Sequence, residues 1–138
     1  MNFAPALALI AGSIVTTSLA HADINEFELC QIEQRSGRVV EVEAYGITLG
    51  LDGFSARGSS GCNEYDAEIS RRPGRPVFEQ ISSTQVACED EARMAMEDRY
   101  MRMLGSARSL TLADGTLVIT SDKGNRWVFA QDCEGLER

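Results

Sequence analysis

Gly61-Cys62-Asn63-Glu64-Tyr65 and Ser82-Ser83-Thr84-Gln85-Val86-Ala87-Cys88 decide how this 138-residue chain is read. Each sets a cysteine in a turn-forming or polar run, and the second leads straight into a helical pattern. That pattern, Glu89 to Leu104, predicts the one long helix. Ala92, Met96, Tyr100, Met103 and Leu104 recur at helical spacing and form its expected buried stripe. Glu89, Asp90 and Glu91 suit the positive end of the helix dipole, Arg99 and Arg102 the negative end, and Gly105 is the expected stop. Of the four methionines there, Met96 and Met103 are read as core filling, with Met94 and Met101 at its border, rather than as a soft binding surface.

Working outward, the remaining segments read as short strands. Glu28 to Ile32 and Arg38 to Tyr45 are strand-like; in the second, Val40, Val42 and Ala44 alternate with Glu41 and Glu43. Ile47, Leu49 and Leu51 alternate again before a bend at Gly53. Ser55 to Ser60 is small and polar and is expected to be a loop. Tyr65, Ala67 and Ile69 face a core, leaving Glu64, Asp66 and Glu68 on a solvated face rather than in a carboxylate site. Arg71-Arg72-Pro73-Gly74-Arg75-Pro76 reads first as a polar turn and second as a docking site for an anionic partner. Val77 to Ile81 is a short strand. Leu110 and Leu112, the Asp114-Gly115 hairpin, Leu117 and Ile119, the turn Ser121 to Asn125, and then Trp127 and Phe129 make a three-stranded meander. The expected fold is α+β: a small, curved antiparallel sheet packed on one main helix and stapled by disulfides.

Together the two opening stretches resemble the META domain of HslJ-like bacterial envelope proteins, whose signatures read Gly-Cys-Asn-x-Tyr and Ser-Thr-x-x-Ala-Cys. The resemblance runs from about Leu49 to Ala130. It implies a small β-rich domain and a role in envelope tolerance of heat and antibiotic stress, without implying a reaction.

Residues 1–22 are expected to be a signal peptide and 23–138 a single domain. Ala4 to Ala20 carries no charge, and Ala20-His21-Ala22 fits a small-x-small cleavage site; an uncleaved anchor is the alternative. Cys30, Cys62, Cys88 and Cys133 are an even set in a chain with export features, which points to disulfides and admits three pairings. The family resemblance implies Cys62–Cys88, leaving Cys30–Cys133 to tie the first strand to the last. Some relatives carry a lipid anchor, but Cys30 follows Asn25-Glu26-Phe27-Glu28-Leu29, which is no lipobox. A soluble periplasmic or secreted monomer without a stable membrane anchor is therefore expected.

His21 is the sole histidine and falls in the leader, so the mature chain offers no Ser-His-Asp, Cys-His or imidazole metal site. No Cys-x-x-Cys pair, calcium loop or phosphate loop is present. A net charge of −8 disfavours nucleic acid. No cofactor, metal or catalytic residue is assigned. The expected function is non-enzymatic: binding or structural support through Ser59, Ser60, Asn63, Tyr65 and Thr84, with an envelope protein or small ligand as partner. A hydrolase inhibitor wedging in the Ser55–Ser60 loop or the Arg71–Pro76 turn, with Phe54 as anchor, is the second reading. A carrier of small apolar ligands is the third.

Overall fold

The computed structural model describes residues 26–136; the expected leader at 1–22 lies outside them. Nine antiparallel strands form one sheet: β1 (Glu26–Glu33), β2 (Val39–Glu41), β3 (Thr48–Asp52), β4 (Ser55–Ser59), β5 (Glu64–Ile69), β6 (Phe78–Ser83), β7 (Ala107–Ala113), β8 (Thr116–Ser121) and β9 (Arg126–Ala130). Their order is β6-β5-β4-β3-β1-β9-β8-β7, with β2 paired to β1 off that path. The sheet curls into a half-barrel around α1 (Glu91–Ser106), the helix joining its two outermost strands. Those edges touch where Val77 N–H donates to Ala107 O at 3.4 Å. The fold is α+β, and the C-terminal meander β7-β8-β9 is as the alternation predicts.

The central strand explains the curl. β1 pairs with β9 along one side, and on the other it pairs first with β3 and then with β2. The segment Arg38–Tyr45 is therefore not one strand. Gln31 faces Glu41, so unbroken pairing would set Glu28 against Ala44; Glu28 faces Thr48 instead. A 3-10 turn at Glu43–Tyr45 takes up the slack and leaves Ala44 exposed. A bulge between Leu29 and Gln31 interrupts the β1–β9 register at Cys30. Leu29 and Ile32 stay in the main core while Cys30 joins a second cluster with Cys133 and Ala130, against which Leu136 packs.

Further expectations are corrected. Ser55–Ser60 is not a loop: β4 runs through it, because Ala56 is fully buried between two ladders. The helix begins and ends two residues later than expected, with Asp90 as its cap, accepting from the N–H groups of Ala92 and Arg93. Gly105 continues the helix instead of stopping it, Ala92 is exposed, and the buried face is Glu97, Tyr100, Met103 and Leu104. Leu112 is exposed at 57%, while Leu110 packs partly on the core.

The interior is filled by aromatic side chains. Tyr100 rises from the helix between Tyr65, Trp127 and Phe129, with ring centroids 5.4, 5.8 and 6.3 Å away. Tilted and edge-on contacts of this kind add to area burial. Both disulfides of the family-based expectation are present: Cys30–Cys133 and Cys62–Cys88, with Cα separations of 5.4 and 5.6 Å.

Candidate functional site

The Gly-Cys-Asn-Glu-Tyr segment joins β4 to β5 through a tight turn. Gly61 sits at φ +116, a region costly for residues with a Cβ, and the turn presents three donors in one direction. They converge on Glu97 of α1. Its Oε2 accepts from Ser60 Oγ at 2.7 Å and from the N–H groups of Cys62 and Asn63 at 2.8 Å each. Its Oε1 accepts from Asn63 Nδ2 at 2.6 Å. Burial alone would raise this carboxyl's pKa, but the hydrogen bonds from Asn63, Ser60 and the Cys62 and Asn63 amides outweigh it and hold the group below the ordinary glutamate value. Arg93, one turn earlier on the same face and beside the Gly61 turn, donates to Tyr45 O at 2.6 Å and Ala44 O at 3.3 Å, which ties the start of the helix to the Glu43–Tyr45 turn.

Asn63 faces both ways. Besides serving Glu97, its amide pairs with the backbone of Val86: Oδ1 accepts from Val86 N at 2.6 Å, and Nδ2 donates to Val86 O at 3.0 Å. The side chain thus imitates a strand neighbour for a segment that belongs to no strand. Thr84 Oγ1 donates to Asn63 Oδ1 at 3.1 Å and accepts from Glu64 N–H at 3.1 Å. The strap between β6 and α1 is held by these bonds and closed by Cys62–Cys88. Thr84 to Ala87 are nevertheless exposed, and Val86 shows 64% of its surface.

Tyr65 lies below the strap. Its hydroxyl donates to Thr48 O at 2.8 Å, leaving Tyr100, 2.6 Å away, as donor to Tyr65. Burial pushes the Tyr65 pKa far above the usual phenol value, with the Tyr100 hydrogen bond pulling the other way. Burial and then the Tyr65 hydroxyl do the same to Tyr100.

The five residues singled out in the sequence are therefore brought together, but not as a reactive surface. Ser60 is wholly buried, Asn63 and Tyr65 nearly so, and their polar groups have partners inside the protein. Ser59, half-buried, accepts from Gly61 N–H at 3.3 Å. Ser59, Tyr65 and Thr84 also border a groove of about 1120 Å³ on the sheet's outer face. Across it Glu26, Gly50, Arg57, Asp66 and Ser82 stand side by side on successive strands. Glu97 and Arg93, which organise the cluster, were not singled out. A carboxylate on the same helical face as Tyr100 was the available signal, hidden by the general rule that such groups face water.

Among the described residues, no group of three or more His, Cys, Asp or Glu side chains is arranged to hold a metal, and no helix is long and apolar enough to cross a membrane.

No curated protein matches the chain. Solved structures do share its fold. A Burkholderia xenovorans protein studied by NMR matches with a TM-score of 0.64 and 22% identity, over 80% of this chain and 83% of that one. A DUF4847 family protein from Bacteroides vulgatus matches with a TM-score of 0.51 and 9% identity, over 80% of this chain and 94% of its own. The family model for the META domain matches residues 22–134, across both cysteine signatures. This chain belongs to the META domain family.

Proposed function

We propose that the protein is a non-enzymatic member of its family, exported from the cytoplasm, that supports the cell envelope under heat or antibiotic stress by binding a partner through the strap Thr84–Cys88. One observation carries this reading. Ser60, Asn63, Tyr65 and Glu97 spend their hydrogen bonds on one another, on Thr84 and Tyr100 and on backbone, so the cluster works as a frame, and what it holds out is the strap with Val86 at its centre. Pre-ordering an exposed segment removes part of the entropy lost on association, which is the physical benefit of such a frame. Two disulfides agree with an oxidising compartment.

The test is complementation of a strain lacking the protein, challenged with heat and antibiotic. Val86→Asp should leave the melting temperature within about 2 °C of the parent, as an exposed substitution does, and abolish rescue. Full rescue by Val86→Asp would sink the strap as the binding surface.

A further inference from the structure

Two loop tips stand together at one end of the sheet, away from the strap. Ile69 N–H donates to Phe54 O at 2.6 Å, which ties the β3–β4 hairpin to the β5–β6 turn. Phe54 is 61% exposed, and the Arg71 guanidinium lies 4.3 Å from its ring centroid. Arg72 and Arg75 are exposed on the same turn. Arg108, also exposed, follows Ala107, whose carbonyl receives Val77 N–H across the seam. None of these four arginines forms an ion pair with a described residue.

No carboxylate interrupts the run from Ser70 to Val77. Asp52 shares the hairpin, Glu68 faces Glu79 behind the turn, and Asp122 and Lys123 offset each other near Arg108, where Asp122 N–H donates to Ser106 O. Farther along the outer face, Glu26, Glu64 and Asp66 are opposed by Arg57 alone among the groove's lining. The chain's net charge of −8 is thus unevenly laid out, with arginines crowding one tip and acids lining the flank. Such a layout favours end-on over side-on approach to a negatively charged surface.

The shape narrows the partner further. None of these arginines lines the outer-face groove, the feature in which an acidic peptide could lie. A lipid headgroup layer needs no groove: it offers many phosphates in a plane above an apolar boundary. An aromatic ring suits that boundary, and guanidinium groups beside it suit the phosphates. We infer that Phe54, Arg71, Arg72, Arg75 and Arg108 form a docking surface for an anionic lipid bilayer. The contact is peripheral and reversible, since one ring and four cations fall well short of an inserted anchor.

Co-sedimentation of the full chain with vesicles tests this. Partition onto phosphatidylglycerol-containing vesicles should exceed that onto pure phosphatidylcholine by at least about tenfold and fall as salt is raised. An apolar N-terminal segment would act on both vesicle types, so the difference between them reads the arginine tip. The triple variant Arg71→Glu, Arg72→Glu, Arg75→Glu should erase that difference while keeping the parent's circular dichroism. Phe54→Ser should weaken binding several-fold with its salt dependence unchanged. Equal partition onto both lipids, no binding to either, or undiminished anionic preference in the triple variant overturns the proposal. Binding to a soluble polyanion such as polyglutamate without binding to vesicles overturns it too, in favour of an acidic protein.

Discussion

Glu97 is the residue on which the cluster turns. Four hydrogen bonds enter its carboxylate, and a neutral amide in its place cannot accept them all. Glu97→Gln would set one NH2 group against a donor, either Asn63 Nδ2 or the Ser60, Cys62 and Asn63 donors. The expected loss is about 1–3 kcal/mol in urea unfolding at neutral pH. Because its folded pKa lies below the unfolded value, the parent's extra stability is present above the ordinary glutamate pKa, about 4.3, and fades as pH falls through the folded value. The glutamine variant should lack that part of the acid dependence. A variant whose acid profile overlays the parent's would show that Glu97 is not the group responsible. Little of this was legible in the sequence. Asn63 and Tyr65 were found through their motif, but nothing in a line of residues says that a helical glutamate thirty-four positions on from Asn63 receives its amide.

Among elements, β4 shows why a strand can hide. Ser55, Arg57 and Ser59 face outward, and the inward positions hold only Ala56 and Gly58, so the hydrophobic alternation is too faint to register. Gly58 is small for a reason seen only in three dimensions: a Cβ there would stand 2.3 Å from the Thr48 carbonyl oxygen, the acceptor of the Tyr65 hydroxyl. Gly58→Ala should cost about 2–3 kcal/mol in urea unfolding, since backbone must shift. Gly105→Ala is the matched contrast. That glycine is helical, with open space where the methyl would go, and the change should stabilise the fold by about 0.5–1 kcal/mol. Equal effects of the two substitutions would remove the argument. The meander's existence, in contrast, was readable, because apolar residues run through both return strands and Asp114 and Gly115, at φ 53 and 76, make the turn their pairing predicts. Its burial was not, since Val118 and Val128 are buried beside their alternating neighbours while Leu112 is exposed.

For the whole molecule, the sheet order is what spacing along the chain could not reveal. β1 lies between β3 and β9, partners from opposite ends of the sequence, and β2 pairs beside it. Cys30–Cys133 reinforces that long-range join with a sequence separation of 103, against 26 for Cys62–Cys88. By loop entropy, removing the first pair as a double alanine variant should cost about 4–5 kcal/mol, and removing the second about 3–4. Urea midpoints of both variants under oxidising conditions check the order; a larger loss from Cys62–Cys88 would mean that strap ordering outweighs chain closure.

The same long bridge gives the molecule a mechanical character. Glu26 to Leu29 and Glu134 to Leu136 are the only described residues outside the ring it closes. Tension applied at Glu26 and Leu136 strips the few β1 pairs that precede Cys30, then passes through Cys30 and Cys133 without loading the chain between them. Stretched from Glu26 and Leu136, the oxidised protein yields only those few residues and then stops extending, whereas the reduced one can unravel strand by strand.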